Sequence, residues 1–198
     1  MKLLFATPSP YSSKVRMAAR YLELDIEDVP TQTGPDADEL TALNPLGKIP
    51  TLVLDDGTSV FDSRAIMQEM NRMVRNGLYP TARAKRLRQE RLEATADGMC
   101  DAMLAIVYDK RFRPEEKQHE DWQEMQWDKV ARALDWLEQD TPRVAARLHG
   151  GHFALAAALG YADLRHSERN WSRGRPKLRR FMTRFAERFP AWEELRPQ

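Results

Sequence analysis

Three short segments of the chain combine hydroxyls, carboxylates and prolines in ways that suit ligand chemistry. The first is Thr7-Pro-Ser-Pro-Tyr-Ser-Ser13, which leads from an apolar run into a helical pattern. A hydroxyl here stands at a helix N-terminus, where free N–H groups and the macrodipole favour an anion. The same residues also suit an ordinary helix start, with Ser as cap and Pro in the first turn. The second segment is Asn44-Pro-Leu-Gly-Lys-Ile-Pro-Thr51. Pro50 heads what reads as a central strand, a position where a missing N–H needs a reason. A cis Ile49–Pro50 bond supplies one, since it turns the Ile49 backbone toward an extended ligand and costs only about 0.5–1 kcal/mol. A plain trans turn is the other reading. The third segment is Phe61-Asp-Ser-Arg-Ala-Ile66, where a strand ends and Ser63 caps a helix with Asp62 beside it. The N–H groups of such a start suit a carboxylate and Asp62 suits an ammonium, the two ends of a zwitterionic amino acid. An Asp/Ser helix start without a ligand explains the same residues.

The elements that must hold these segments follow from periodicity. Lys2–Ala6 reads as a strand, and Val15, Ala18, Ala19 and Leu22 give Tyr11–Glu23 a helical stripe. Ile26–Val29 reads as a second strand and Pro35–Leu43 as a short helix with acidic residues at its start. Thr51–Leu54 runs into the turn Asp55-Asp-Gly57 and pairs back with Thr58–Phe61. From Ser63, Ile66, Met67, Met70, Met73 and Val74 trace another stripe, which Asn76-Gly-Leu-Tyr-Pro80 ends with Gly77 as C-cap. The order β-α-β-α-β-β-α is that of a thioredoxin-like fold. Everything beyond reads as helix: a long stripe from Leu92 through Val107, a second from Trp127 to Leu137, a buried Ala/Leu-rich segment Phe153–Arg165, and an amphipathic one with Leu178, Phe181, Met182 and Phe185. The expected architecture is therefore α+β in two domains, thioredoxin-like over 1–78 and all-helical over 85–198, joined by a linker at 79–84.

Composition narrows the function classes. The chain has 198 residues, 42% apolar and 31% charged, the balance of a globular protein. No apolar run nears the roughly 18 residues of a membrane span, and the N-terminal apolar stretch is too short for a signal peptide. The net charge is +1, with −3 on residues 1–78 and +4 on the rest, so no strong basic excess points to nucleic acid. The cluster Arg83, Lys85, Arg86, Arg88 and Arg91 is interrupted by Glu90 and Glu93 and reads as a solvated helix face. A single cysteine, Cys100, allows no intrachain disulfide and suits a reducing cytoplasm. Cys100 lies on an apolar stripe and reads as a structural thiol. His119, His149, His152 and His166 lack metal-ligand spacing, so no metal is expected. Met99, Met103 and Val107 face either the helical core or a cleft above the first domain, with Tyr108 beside them.

Taken together, Ser9-Pro-Tyr-Ser-x-Lys-Val-Arg16, Asn44-Pro-Leu-Gly-Lys-Ile-Pro50 and Asp62-Ser-Arg-Ala-Ile66 resemble the glutathione-binding signature of the cytosolic glutathione S-transferases. Ala158-Leu-Gly-Tyr-Ala-Asp-Leu-Arg165 and Arg175-Pro-Lys-Leu-Arg-Arg-Phe181 resemble a bacterial branch of that family that uses serine at the thiol. The resemblance covers the whole chain. It implies that Ser9 hydrogen-bonds the glutathione sulfur, with Ser12 and Ser13 as alternates. It implies further that the Ile49 backbone pairs with the cysteinyl amide, that Pro50 is cis, that Asp62 and Ser63 hold the γ-glutamyl end, and that Lys48 approaches the glycyl carboxylate. Tyr11, Met103, Val107 and Tyr108 are the candidates for an apolar electrophile pocket. Lowering a thiol pKa from about 8.5 by about two takes roughly 2.7 kcal/mol. A charged hydrogen bond gives about 1.5–3 kcal/mol and a helix start about 0.3–1, so Ser9 and its helix suffice. The implied activity is attack of glutathione thiolate on a small hydrophobic electrophile, by conjugation, peroxidase or dehalogenase chemistry, in a homodimer, with glutathione as co-substrate and no metal, nucleic-acid or membrane partner. A non-catalytic binding or regulatory module of the same fold is the alternative. A maleylacetoacetate-type isomerase ranks lower, because Ser12-Ser-Lys-Val-Arg16 echoes only part of that signature. One departure stands out. Where the family begins the central helix of its second domain with a Ser/Thr-x-x-Asp capping box, this chain has Gly151-His152-Phe153, a predicted loss of about 0.5–2 kcal/mol if nothing replaces the cap.

Overall fold

The structure is a computed structural model that describes residues 1–75 and 77–198. Its first part runs β1 (Lys2–Phe5), α1 (Pro10–Tyr21), β2 (Glu27–Pro30), α2 (Asp38–Leu43), β3 (Thr51–Val53), β4 (Ser59–Val60) and α3 (Ser63–Met73). The sheet order is β2-β1-β3-β4, with β1 parallel to β2 and antiparallel to β3, and β3 antiparallel to β4. The second part is helical: α4 (Arg83–Phe112), α5 (Glu120–Gln139), α6 (Gly150–Arg165), α7 (Pro176–Arg188) and the single turn α8 (Trp192–Leu195). This is the thioredoxin-like sheet with an all-helical unit that the periodicity predicts. Among the described residues, no helix is long and apolar enough to cross a membrane.

The apolar stripes do the positioning. Val15, Met17 and Ala18 of α1 and Ile66, Met67 and Met70 of α3 are fully buried beside Leu3 and Leu52 of the sheet. That core continues into the helical part through α6, whose residues from Gly150 to Ala162 are all buried. A helix buried all round needs small residues where neighbours come close. A Cβ on Gly150 would lie 2.7 Å from the Tyr79 ring, and one on Gly151 would lie 2.8 Å from the Gln89 carbonyl oxygen. Gly150 N–H donates to the Leu78 carbonyl at 3.0 Å. The Leu78 and Tyr79 N–H groups in turn donate to Asn71 Oδ1 of α3.

Several local expectations shift. Asp62, not Ser63, is the cap of α3: its Oδ1 accepts from Arg64 N–H at 2.9 Å, while Ser63 is already in the helix and buried. A carboxylate at the cap gains from the helix dipole, which is why it takes the place of the neighbouring hydroxyl. At the other end, the left-handed residue is Arg75 at φ +51°, so Gly77 is not the C-cap. Gly77 is small because Leu22 and Val74 pack onto it, and Asn76 of that predicted break lies outside the described residues. The start of α6 is not left bare. His149 is its N-cap and its N–H donates to His152 Nδ1 at 2.9 Å, so the imidazole serves where the family has a carboxylate. Burial first, and then the neighbouring His149, pull the His152 pKa down to about 4, which keeps the ring neutral and able to accept.

Candidate functional site

The strand register brings the three sequence segments to one edge of the sheet. Leu4 at the C-terminal end of β1 faces Thr51 at the N-terminal end of β3, and Leu52 faces Val60 at the C-terminal end of β4. The loops that follow β1, precede β3 and follow β4 therefore leave the sheet side by side. They carry Ser9, Ile49-Pro50 and Asp62 respectively. A second tie comes from the helical part. Tyr11 in the first turn of α1 donates its hydroxyl to Asp101, and Arg64 in the first turn of α3 donates Nε to Asp97 at 2.8 Å. Asp97 and Asp101 are one turn apart on α4, about 6 Å, so both helix starts are moored to adjacent points.

Within 9–13 the chain has four side-chain hydroxyls, and they have different fates. Ser13 Oγ is buried and donates to the Leu195 carbonyl at 2.6 Å, which pins α8 to α1. Ser12 is fully buried and its Oγ has no partner among the described residues. The Tyr11 proton is committed to Asp101, and burial together with nearby Cys100 and Asp101 holds the phenol protonated, its pKa pushed far up. Ser9 is half-buried and caps α1, its Oγ accepting from Ser12 N–H at 3.2 Å. A hydroxyl has one proton and two lone pairs. Capping uses a lone pair, so the Ser9 proton remains free to be donated, and the cap and anion-site readings of this loop are compatible. The Tyr11 N–H, at the second helical position, also lacks a partner among the described residues.

The loop before β3 is shaped by a residue that sequence reasoning passed over. Asn44 is buried and donates Nδ2 to the Lys48 carbonyl at 2.8 Å, while its Oδ1 accepts from Leu46 N–H at 3.0 Å. Thr51 Oγ1 donates to the same Lys48 carbonyl at 3.0 Å, and Gly47 supplies the left-handed turn at φ +57°. The result is a cis Ile49–Pro50 bond with Pro50 buried and Ile49 half-buried. The Ile49 N–H and C=O have no protein partner among the described residues, which leaves both to an extended ligand. The Phe61–Asp62 bond is also cis. Asp62 is exposed, Ser63 is buried beneath it, and the Lys48 side chain points to solvent.

The remaining candidates divide. Met103 is fully buried, with its carbonyl 3.2 Å from His166 Nε2, so its side chain belongs to the core. Val107 is half-buried, and Tyr108 is 47% exposed and packs edge-on against the exposed Phe112. Cys100 is buried, and burial and then Asp97 push its thiol pKa well up, as for a structural cysteine. Sequence reasoning missed the face of α4 that carries Glu93, Asp97 and Asp101. Their four-residue spacing was the available signal, but charged residues on a charged helix read as solvated.

A thioredoxin-like sheet whose loops converge under a helical unit defines the class. The comparisons with known proteins make it specific. Residues 8–73 match the model of the glutathione S-transferase N-terminal domain, and residues 120–184 match that of the C-terminal domain. An uncharacterized GST-like protein of Escherichia coli (strain K12), YibF, is 33% identical over 90% of both chains. A crystal structure of a glutathione transferase family member from Pseudomonas fluorescens Pf-5, with bound glutathione, superposes with a TM-score of 0.91 at 34% identity, covering 100% of this chain and 98% of that one. A glutathione S-transferase from Methylobacillus flagellatus KT with glutathione bound gives 0.91 at 33% identity, covering 100% and 99%. The chain belongs to the glutathione S-transferase family.

Proposed function

We propose that the protein is a serine-type glutathione transferase that holds the glutathione thiol as thiolate for attack on a small hydrophobic electrophile. The observation that carries this reading is the hydroxyl inventory of 9–13: Ser9 alone has a proton both uncommitted and within reach of the surface. In this reading Ser9 Oγ donates to the sulfur, and the α1 dipole and the free Tyr11 N–H add to the positive potential there. The tripeptide lies along the unpaired Ile49 backbone, and Asp62 accepts the γ-glutamyl ammonium with Ser63 beneath. Lys48, exposed on the same loop, reaches the glycyl carboxylate. The electrophile approaches past Tyr11, Val107 and Tyr108, where two rings and the valine methyls give an apolar wall. Two relatives solved with glutathione support the ligand assignment. The division into units over 1–78 and 85–198 belongs to the same proposal, with the 79–84 linker shortened by α4, which already begins at Arg83. A cytoplasmic setting and a homodimer belong to it as well.

Calorimetry with reduced glutathione and ultraviolet titration of the bound thiol test it on wild type, Ser9→Ala and Ser12→Ala. The expected result is micromolar-to-millimolar binding, a depressed thiol pKa in wild type and in Ser12→Ala, and a rise of one to two, about 1.4–2.7 kcal/mol, in Ser9→Ala. An unchanged thiol in Ser9→Ala with a raised one in Ser12→Ala refutes the assignment to Ser9. A wild type that does not bind glutathione favours the non-catalytic module.

A further inference from the structure

The buried charges between the two parts of the molecule point to a role that the proposed site does not use. Lys14, on α1 one turn beyond the Ser9 cap, is fully buried. Its Nζ lies 3.1 Å from Glu93 and 2.9 Å from Asp97, both buried on α4. Asp97 is shared with Arg64 Nε at 2.8 Å, and Glu93 accepts the buried Tyr79 hydroxyl. Two cations thus face two carboxylates, and the cluster is neutral. Burial alone pulls the Lys14 pKa down, but Asp97 and then Glu93 outweigh it and the net shift is upward, so the amine stays charged. If the cluster served only to hold α1 on α4, apolar side chains would do as well or better, because both charges must first be stripped of water. In some proteins buried ionic groups fix a register that apolar contacts leave loose.

We propose that Lys14 is a positioning residue for thiol activation: through Asp97 it locks the start of α1, which carries Ser9, to the start of α3, which carries Asp62. The path is explicit. Lys14 and Arg64 grip the same carboxylate, and the Arg64 N–H is the donor that Asp62 caps. A shift of either helix start along α4 separates the sulfur donor from the ammonium acceptor of one ligand, and misplacement by about 1 Å is costly. This inference rests on the glutathione-site reading above.

The test uses the full chain, reduced glutathione and two readouts, calorimetric affinity and the pKa of the bound thiol. Lys14→Met/Glu93→Gln removes one charge of each sign and leaves the cluster neutral. It is expected to bind glutathione about tenfold more weakly and to raise the thiol pKa by about one. Arg64→Gln, at a half-exposed side chain, cuts the other end of the path. It is expected to shift both readouts in the same direction, and the two changes combined are expected to be less than additive. A folded Lys14→Met/Glu93→Gln protein with wild-type affinity and thiol pKa overturns the proposal and leaves Lys14 a purely structural residue. Unchanged readouts in Arg64→Gln overturn it even if the Lys14 variant does not fold. Absence of glutathione binding by wild type removes the site reading and this inference with it, and is seen before any variant is measured.

Discussion

The starts of α1 and α6 face the same problem and solve it differently. Both helices must satisfy their first N–H groups beside a tightly packed partner. At α1 a proline removes one donor, a hydroxyl accepts another, and a hydroxyl proton and the Tyr11 N–H are left over at the surface. At α6 two glycines let Tyr79 and the α4 backbone come close, an imidazole replaces the usual carboxylate, and the helix is buried from Gly150 to Ala162, with only the cap His149 half-exposed. The lesson concerns what remains unspent. A helix start with a spare, reachable donor is equipped to hold an anion, whereas one with its groups consumed in packing serves stability.

The comparison predicts that changes at α6 act on stability and changes at α1 on the ligand. The largest stability effect expected is the acid response of His152. Its folded pKa of about 4 lies below the ordinary 6.5, so the unfolded chain binds more protons between those values. Its contribution is complete above pH 6.5 and is lost as pH falls toward 4, up to about 3 kcal/mol. Thermal unfolding from pH 7.5 to 4.5 checks this: His152→Asn, which keeps an acceptor for the His149 N–H, should show a shallower acid decline than wild type. An equal decline contradicts it. Next comes Gly150→Ala. The added methyl meets the Tyr79 ring at 2.7 Å, and overpacking of this kind costs about 1–3 kcal/mol. Urea unfolding should show that loss with glutathione affinity per folded molecule unchanged. The smallest stability effect is at Ser9→Ala, about 0.5–2 kcal/mol for a lost cap, and here activity should fall further than stability, by ten- to a hundredfold in kcat/KM. A Ser9→Ala enzyme with wild-type kcat/KM and only a lowered melting temperature would place the two helix starts in one class.

Much of this is visible in the residues themselves. Short apolar runs and helical stripes locate the four strands and the helices of the first part to within a few positions, because each element has one face to bury. In the second part, α4 and α5 extend seven to nine residues before the first stripe residue, where their turns are polar, and the single turn α8 gives no periodic signal. The candidate site loops are legible for a different reason: Ser9-Pro10, Ile49-Pro50 and Asp62-Ser63 are shaped by local backbone chemistry. What stays hidden depends on distance across the fold. Ser63 and Asp62 both have capping side chains, and only the folded helix shows that the carboxylate, favoured by the dipole, takes the cap. Nothing local marks Lys14 as buried, since its partners lie 79 and 83 residues away. His152 as a cap acceptor is equally silent, because an imidazole at that position has no general capping preference. Met103 sits on a stripe that periodicity assigns to the core more readily than to a cleft without excluding either, and the packing of α6 on α4 buries it fully.

The central claim is that one hydroxyl at the start of α1 donates to a ligand's sulfur while it caps the helix. A crystal structure of this protein with reduced glutathione tests it most directly. The sulfur should lie within hydrogen-bond reach of Ser9 Oγ, with the cysteinyl backbone paired to Ile49 and the ammonium at Asp62. A sulfur seated instead at the Tyr11 hydroxyl, with the Asp101 bond broken and Ser9 turned into the protein, would contradict it.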